Sequence, residues 1–319
     1  MPSPNARVQA IDFLRADLID RSGIYEARIN EPMAHMYGYI TNHDPWRTAN
    51  SASLLFHDSL AIAVPKILSG NSIKAWGELQ CHFSYMKWAI DLLGHDYERN
   101  HHDYGRGSLM DHALTFFYLL ARASSDAEWA KPAARMLYDV LVSEGFLPNW
   151  DWASPFEDFL YRLVVMDLKN EWIDPLSEDW GGKDLGGFRR LLGAVGSKDF
   201  EEALVEYCDF RLARAQGYAS LQAQRPSPAN RESTFEFEGY FFALFPLELL
   251  VLKAVYEKTT HKPLSLEADH PLLHLPTMNL PESFMLIEDD ITKAMQALGE
   301  REFGDNWKPG SAPQLIKSN

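Results

Sequence analysis

The chain has 319 residues, 46% of them hydrophobic and 13% aromatic with nine Trp, a composition that excludes a disordered or purely polar interaction protein. Its 30 basic and 45 acidic side chains leave a formal charge of −15, which repels phosphate backbones and anionic membrane surfaces and makes a basic partner the natural complement. Two cysteines, Cys81 and Cys208, cannot make a disulfide framework, and both fall among apolar helix positions, so they read as reduced core residues.

The opening MPSPNARVQAIDFLRADLID carries Asp12, Asp17 and Asp20 and no continuous apolar stretch, so it is no secretory signal and a cytoplasmic location is expected. Val8, Ile11, Leu14 and Leu18 recur at helical spacing, and Ser22-Gly23 is expected to end that helix; a second runs from Tyr25 towards Tyr39. After the loop Thr41-Asn42-His43-Asp44-Pro45, the residues Leu54, Leu55, Asp58, Ile62 and Leu68 predict a helix bent at Pro65 and stopped at Gly70. The cleanest stripe of the first half, Ile73, Trp76, Leu79, Phe83, Met86, Ile90 and Leu93, predicts a long helix. A polar, His-rich connection from Gly94 to Gly107 follows. It leads to a helix carrying Ala113, Phe116, Phe117 and Leu120, and to another, capped at Ser125-Asp126, carrying Trp129, Ala133, Leu137 and Leu141.

The aromatic loop Phe146 to Pro155 is the expected boundary between two halves: an N-terminal helical half, 1–145, and a C-terminal one, 156–303, with 304–319 a mobile tail. Phe156, Phe159, Leu160 and Leu163 start the next helix, and a Gly- and acid-rich break from Asp174-Pro175 to Gly186-Gly187 precedes a short helix near Leu191. Phe200 to Gln216 is amphipathic, with Leu204, Tyr207, Cys208, Leu212 and Ala215 inward and Glu202, Glu206 and Asp209 outward. From Gly239 to Val255 the chain is almost wholly apolar. Pro246, Glu248 and Lys253 interrupt it, which argues for a buried helix kinked at Pro246 over a membrane span and makes this stretch the expected centre of the whole chain. Pro263, Pro271 and Pro276 then impose an extended, turn-rich segment over that core, and a last helix is predicted from Glu282 to Leu298. No stretch alternates as strands do, so the expected fold is all-α: a multi-helix bundle or irregular antiparallel helical array.

The densest polar cluster is His95-Asp96, His101-His102-Asp103 and Asp111-His112, with His57-Asp58 before it; such side chains can bind zinc, iron or manganese when several face one pocket. A helical di-iron site needs Glu-x-x-His on each of two helices, and the only such spacing, Glu267 to His270, lies in a Pro-rich loop, so neither metal nor cofactor is expected. Asp289-Asp290 lacks a second metal-binding constellation and reads as the exposed face of the final helix. No phosphate loop, dinucleotide spacing or nucleophile elbow is present, and no catalytic residue is assigned. Surfaces remain: Trp150, Asp151, Trp152, Glu157, Asp158, Asp179 and Trp180 combine carboxylates with aromatics, a composition suited to docking a basic protein.

Three segments carry a resemblance: Phe200 to Tyr207 (FEEALVEY), Gly239 to Glu248 (GYFFALFPLE), and Asp269-His270-Pro271-Leu272-Leu273 before Pro276. Together they resemble the helical immunity proteins of bacterial polymorphic toxin systems, including the PoNi-like group that protects against nuclease effectors. The chain carries Tyr240-Phe241 and Leu272-Leu273 where that group has an aromatic-Trp pair and a Tyr-Tyr-Pro-like turn. The resemblance implies a non-catalytic cytosolic protein that binds a cognate toxin, expected to be basic and a nuclease, and covers its active site or substrate path, with no direct contact to nucleic acid or membrane. A helical metal-dependent enzyme using the cluster at 95–112 and a helical protein-binding scaffold are the alternatives.

Overall fold

A computed structural model describes residues 2–100, 109–124, 127–143, 155–177, 185–223, 240–282, 284, 287–304 and 307, with the backbone alone at 96–100, 109–112, 127–128, 139–143, 218, 221–223 and 240–241. Among the described residues the fold is all-α, with short 3-10 turns and no strand. The chain divides into two compact units, each assembled from two separate stretches of the sequence: Met1–Arg21 with Phe146–Asn279, and Ser22–Gly145 with Leu280–Asn319. The first 21 residues thus belong with the stretch from Phe146, and everything from Leu280 with the stretch from Ser22. Long-range polar contacts accompany this arrangement within each unit. Arg7 grips Asp209 through two hydrogen bonds of 2.7 and 2.8 Å, while Lys87 donates to the Phe284 carbonyl at 2.8 Å and Tyr85 to Asp289 at 2.5 Å.

The unit of Ser22–Gly145 and Leu280–Asn319 is organised around α3 (Pro45–Leu68), which packs on α2 (Asn30–Thr41), α4 (Ser72–Asn100) and α5 (Leu109–Ala123); α6 (Ala127–Ser143) packs on α5, and α11 (Asp290–Phe303) on α4. Asp44 starts α3 by accepting the Arg47 N–H at 2.9 Å, with Pro45 supplying the fixed φ of the first helical position. Pro65 lies inside the helix, and Gly70, at φ +90°, turns the chain after it. Almost every side chain from Thr48 to Leu68 is buried, so α3 shows no solvent-facing polar stripe, and its polar residues, Ser53, His57, Asp58 and Ser59 among them, lie inside the protein. Its hydroxyls remain satisfied because Ser53 and Ser59 donate to the carbonyls of Ala49 and Leu55, one turn back. Among the described residues α3 is the one helix long and apolar enough to cross a membrane, and 89% of its most apolar window is buried inside the protein.

Phe83 of α4 is the aromatic hub here, stacked on Phe117 at 4.5 Å and Phe284 at 4.4 Å and edge-on to Phe56 at 6.1 Å. Most of the predicted α4 stripe is buried, but Ile73, in the first turn, is 91% exposed: the packed surface begins one turn later than the periodicity. α11 starts at Asp290 rather than Glu282, because α4 takes the backbone groups a longer helix would need: Lys87 binds the Phe284 carbonyl and the Ser84 hydroxyl accepts the Ile287 N–H at 2.9 Å. Asp289 is therefore a cap, not an exposed face, and forms a reciprocal capping box with Thr292. Beyond α11 the expected mobile tail is anchored as far as Trp307, which is buried against Trp88 at 5.3 Å and so close to Gly299 that a Cβ there would meet its ring at 2.1 Å. The residues 308–319 lie outside the described structure.

The first helix, α1 (Pro4–Arg28), passes through Ser22-Gly23 and ends where Pro32 would clash with the Arg28 carbonyl, so Tyr25 belongs to α1 and not to the helix after it. Its residues up to Arg21 belong to the other unit, with α7 (Pro155–Lys169), α8 (Phe188–Ala194), α9 (Phe200–Ala223) and α10 (Leu247–Thr260). The apolar stretch of that unit is no kinked helix. A 3-10 turn, Tyr240–Leu244, ends before Pro246, and α10 begins after it. An α-helix would require residue 246 to donate to the Phe242 carbonyl, and proline has no N–H to give. Nor is this stretch the centre of the whole chain, since the unit built on α3 has its own core.

Candidate functional site

Tyr207 and Arg211 stand one turn apart on the buried face of α9, and both are fully buried. They meet Glu248, in the first turn of α10 and equally buried: the Tyr207 hydroxyl donates to its carboxylate at 2.9 Å, and Arg211 Nε lies 2.8 Å from Oε1. The guanidinium also attends the broken backbone, with Nη2 donating to the carbonyls of Phe242 at 2.7 Å and Phe245 at 3.2 Å and Nη1 to that of Ala243 at 3.4 Å, while its plane lies 4.6 Å from the Phe242 ring centre. The Thr277 hydroxyl takes the Leu244 carbonyl at 2.7 Å. Pro246 thus removes a helical donor, and Arg211 supplies fixed donors in its place, its charge balanced by Glu248. Burial pushes Glu248 up against the opposing pull of Arg211, and burial likewise holds the Tyr207 hydroxyl un-ionised. A cluster sealed from solvent orders the fold; no reactant reaches it.

A second network lies two residues beyond Tyr207. Asp209, read from the sequence as outward, accepts Arg7 on one side and faces His270 Nε2 at 3.2 Å on the other, while His270 Nδ1 accepts the Leu272 N–H at 3.2 Å. Glu202 and Glu206 do face outward, where Arg190 of α8 pairs with both. Between α8 and the start of α9 an open depression of about 790 Å³ is lined by Leu176, Arg189, Arg190, Gly193, Asp199 and Glu202, among others, with charges of both signs on its walls.

In the α3 unit, Arg28 holds Asp58 through bonds of 2.8 and 2.5 Å. Burial pushes the Asp58 carboxyl up, but hydrogen bonds from His57 and Arg28 outweigh it and hold it below the usual range. Ser59 bonds His82, which burial lowers to about 4, so that imidazole is neutral at physiological pH. Of the His/Asp cluster, His95 stacks on Phe303 at 5.1 Å as a packing residue. The side chains of Asp96, Asp111 and His112, and all of His101, His102 and Asp103, lie outside the described structure. Among the described residues no group of three or more His, Cys, Asp or Glu converges to hold a metal.

Of the seven docking residues expected from sequence, Trp150, Asp151, Trp152, Asp179 and Trp180 lie outside the described residues. Glu157 is half-buried in the first turn of α7. Asp158 corrects the expectation: it is 3% exposed and paired with Arg162 at 2.9 Å, because one helical turn brings the two together on the inward face. Sequence reasoning missed the Tyr207, Arg211 and Glu248 cluster. The available signal was a lone Arg on the apolar face of α9 and a lone Glu in the apolar run, charges whose burial requires each other. No family model matches the chain, and no curated protein and no solved structure matches it either.

Proposed function

We propose that this chain is an immunity protein that binds a cognate bacterial toxin, a basic one acting on nucleic acid, and covers its active site or substrate path. The observation that carries the reading is the convergence of the three resembling segments within one unit. Tyr207 at the end of the first bonds Glu248 at the end of the second, and His270 of the third bonds Asp209, two residues beyond Tyr207. The motif residues are therefore those on which the interior of this unit depends, as expected when a resemblance reflects a shared scaffold. The charge of −15 supports the choice of partner, since a nuclease presents Lys and Arg to phosphates and an inhibitor of the same groove gains by presenting carboxylates. Asp151, Glu157 and Asp179 remain the proposed docking carboxylates; Asp158 is withdrawn, its charge being taken up by Arg162.

The test is co-expression with the toxin encoded beside this gene. Cells survive only when this protein is present, and the two proteins co-purify. Charge reversal at Asp151, Glu157 or Asp179 slows association most at low salt, where steering is least screened, and leaves the fold intact. Equal killing with and without soluble protein rejects the reading, and rescue without binding points instead to an enzyme that reverses the damage.

A further inference from the structure

The strap 262–279, which follows α10, contains little regular structure beyond 3-10 turns at Pro271–His274 and Pro276–Met278. Side-chain fastenings hold it. The Leu264 N–H donates to Glu257 at 2.9 Å, the Thr277 hydroxyl donates to the Leu244 carbonyl, and between them sits His270, 0% exposed. Its two ring nitrogens do opposite work: Nδ1 accepts the Leu272 N–H that starts the 3-10 turn, and Nε2 faces Asp209 of α9. Only one neutral tautomer serves both contacts, with the proton on Nε2 and a lone pair on Nδ1.

We propose that His270 is a proton-sensitive clasp, and that acidification opens the strap 262–279 from the unit beneath it. A second proton must go on Nδ1, where it confronts the Leu272 N–H, so protonation replaces a hydrogen bond by two opposed donors. The charged groups facing the ring are Asp209 on α9, Arg7 on α1 and its neighbour Asp269. Asp209 favours the cation, but its carboxylate is already held by Arg7 through two bonds, and Arg7 opposes the extra charge. Burial, the largest influence, lowers His270 below its ordinary value. The sign follows: the open strap takes up a proton near pH 6.5 while the closed one resists it, so closure is fully stable above that value and is lost as pH falls. The proposal is independent of the proposed function.

Hydrogen exchange read by mass spectrometry on the full chain tests it, with rates normalised to the unstructured chain at each pH. Between about pH 7.5 and about pH 5 the opening of 262–279 is expected to rise by up to roughly thirtyfold, the linkage limit for one imidazole. The helix Leu247–Thr260 in the same unit serves as the internal reference and changes less. His270→Asn keeps an acceptor for the Leu272 N–H but cannot titrate, and is expected to abolish the acid response while preserving protection near pH 7.5. Should that variant fail to fold, His270→Gln takes its place. A wild-type change below about twofold relative to the reference helix, or an equal acid response in the non-titrating variant, overturns the proposal.

Discussion

The two units solve the same problem, an apolar segment at the centre of a core, in opposite ways. In one, α3 runs for 24 residues without a break, its Ser53 and Ser59 return hydrogen bonds to their own helix, and its one carboxylate, the buried Asp58, is met by Arg28 from α1. In the other, the apolar run breaks at Pro246, and repairing the break takes a fully buried Arg211 with a fully buried Glu248 to neutralise it. An intact helix satisfies its own backbone and tolerates an almost purely apolar setting, whereas a broken one needs donors from elsewhere. Once a guanidinium is chosen as donor, a buried carboxylate must follow.

Breaking the comparison on its charged side gives the largest expected effect. Arg211→Met leaves Glu248 buried without its partner and is expected to destabilise by about 3–5 kcal/mol, measured by chemical denaturation. On the apolar side, Phe83→Ala removes the ring that stacks on both Phe117 and Phe284, and about 3–5 kcal/mol is expected from lost burial and the cavity left behind. The two losses match in size but differ in kind. A smaller but still apolar replacement, Phe83→Leu, recovers part of the second by filling much of the cavity, and no apolar residue at 211 restores the first.

A smaller effect is confined to the α3 unit. His82 is lowered to about 4 by burial, so the unfolded chain takes up a proton below about pH 6.5 that the folded chain refuses. Its contribution is complete above that pH and is lost as pH falls towards 4, by up to about 3 kcal/mol. Denaturation of wild type and His82→Asn at neutral and acidic pH measures it, with the variant showing the shallower acid slope. Smallest is the cap. Asp44→Ala removes the acceptor for the Arg47 N–H and is expected to lower stability by about 1 kcal/mol, read as a modest fall in Tm.

The contrast also marks what the sequence made legible. The stripe on α4 and the stop at Gly70 are local signals, readable because period and left-handed glycine act within a few residues, whereas Asp44-Pro45 reads as a loop and proves to be the start of α3. Helix ends set from a distance were not: nothing near Glu282 announces that Lys87 and Ser84 will hold the backbone of 284 and 287. The exchange of chain ends between the units is accompanied by the contact of Arg7 with Asp209, 202 positions apart, a pairing that no periodicity encodes. At the candidate surface, composition gave Glu157 and Asp158 the same role. Helix phase separates them, turning Asp158 inward to Arg162.

The central physical claim is that Arg211 serves the backbone break as well as the ion pair, and replacing both partners tests it most directly. If Arg211 and Glu248 were only a buried salt bridge, Arg211→Met with Glu248→Met, made in a Tyr207→Phe chain so that no buried hydroxyl is orphaned, would match that single-variant reference or exceed it, since apolar replacement of an ion pair is often neutral or stabilising. Here the two substitutions together are expected to leave the chain less stable than the Tyr207→Phe reference by about 1–3 kcal/mol, because the Ala243 carbonyl loses its donor and those of Phe242 and Phe245 lose their second. A denaturation midpoint equal to or above that of the Tyr207→Phe reference would contradict the account.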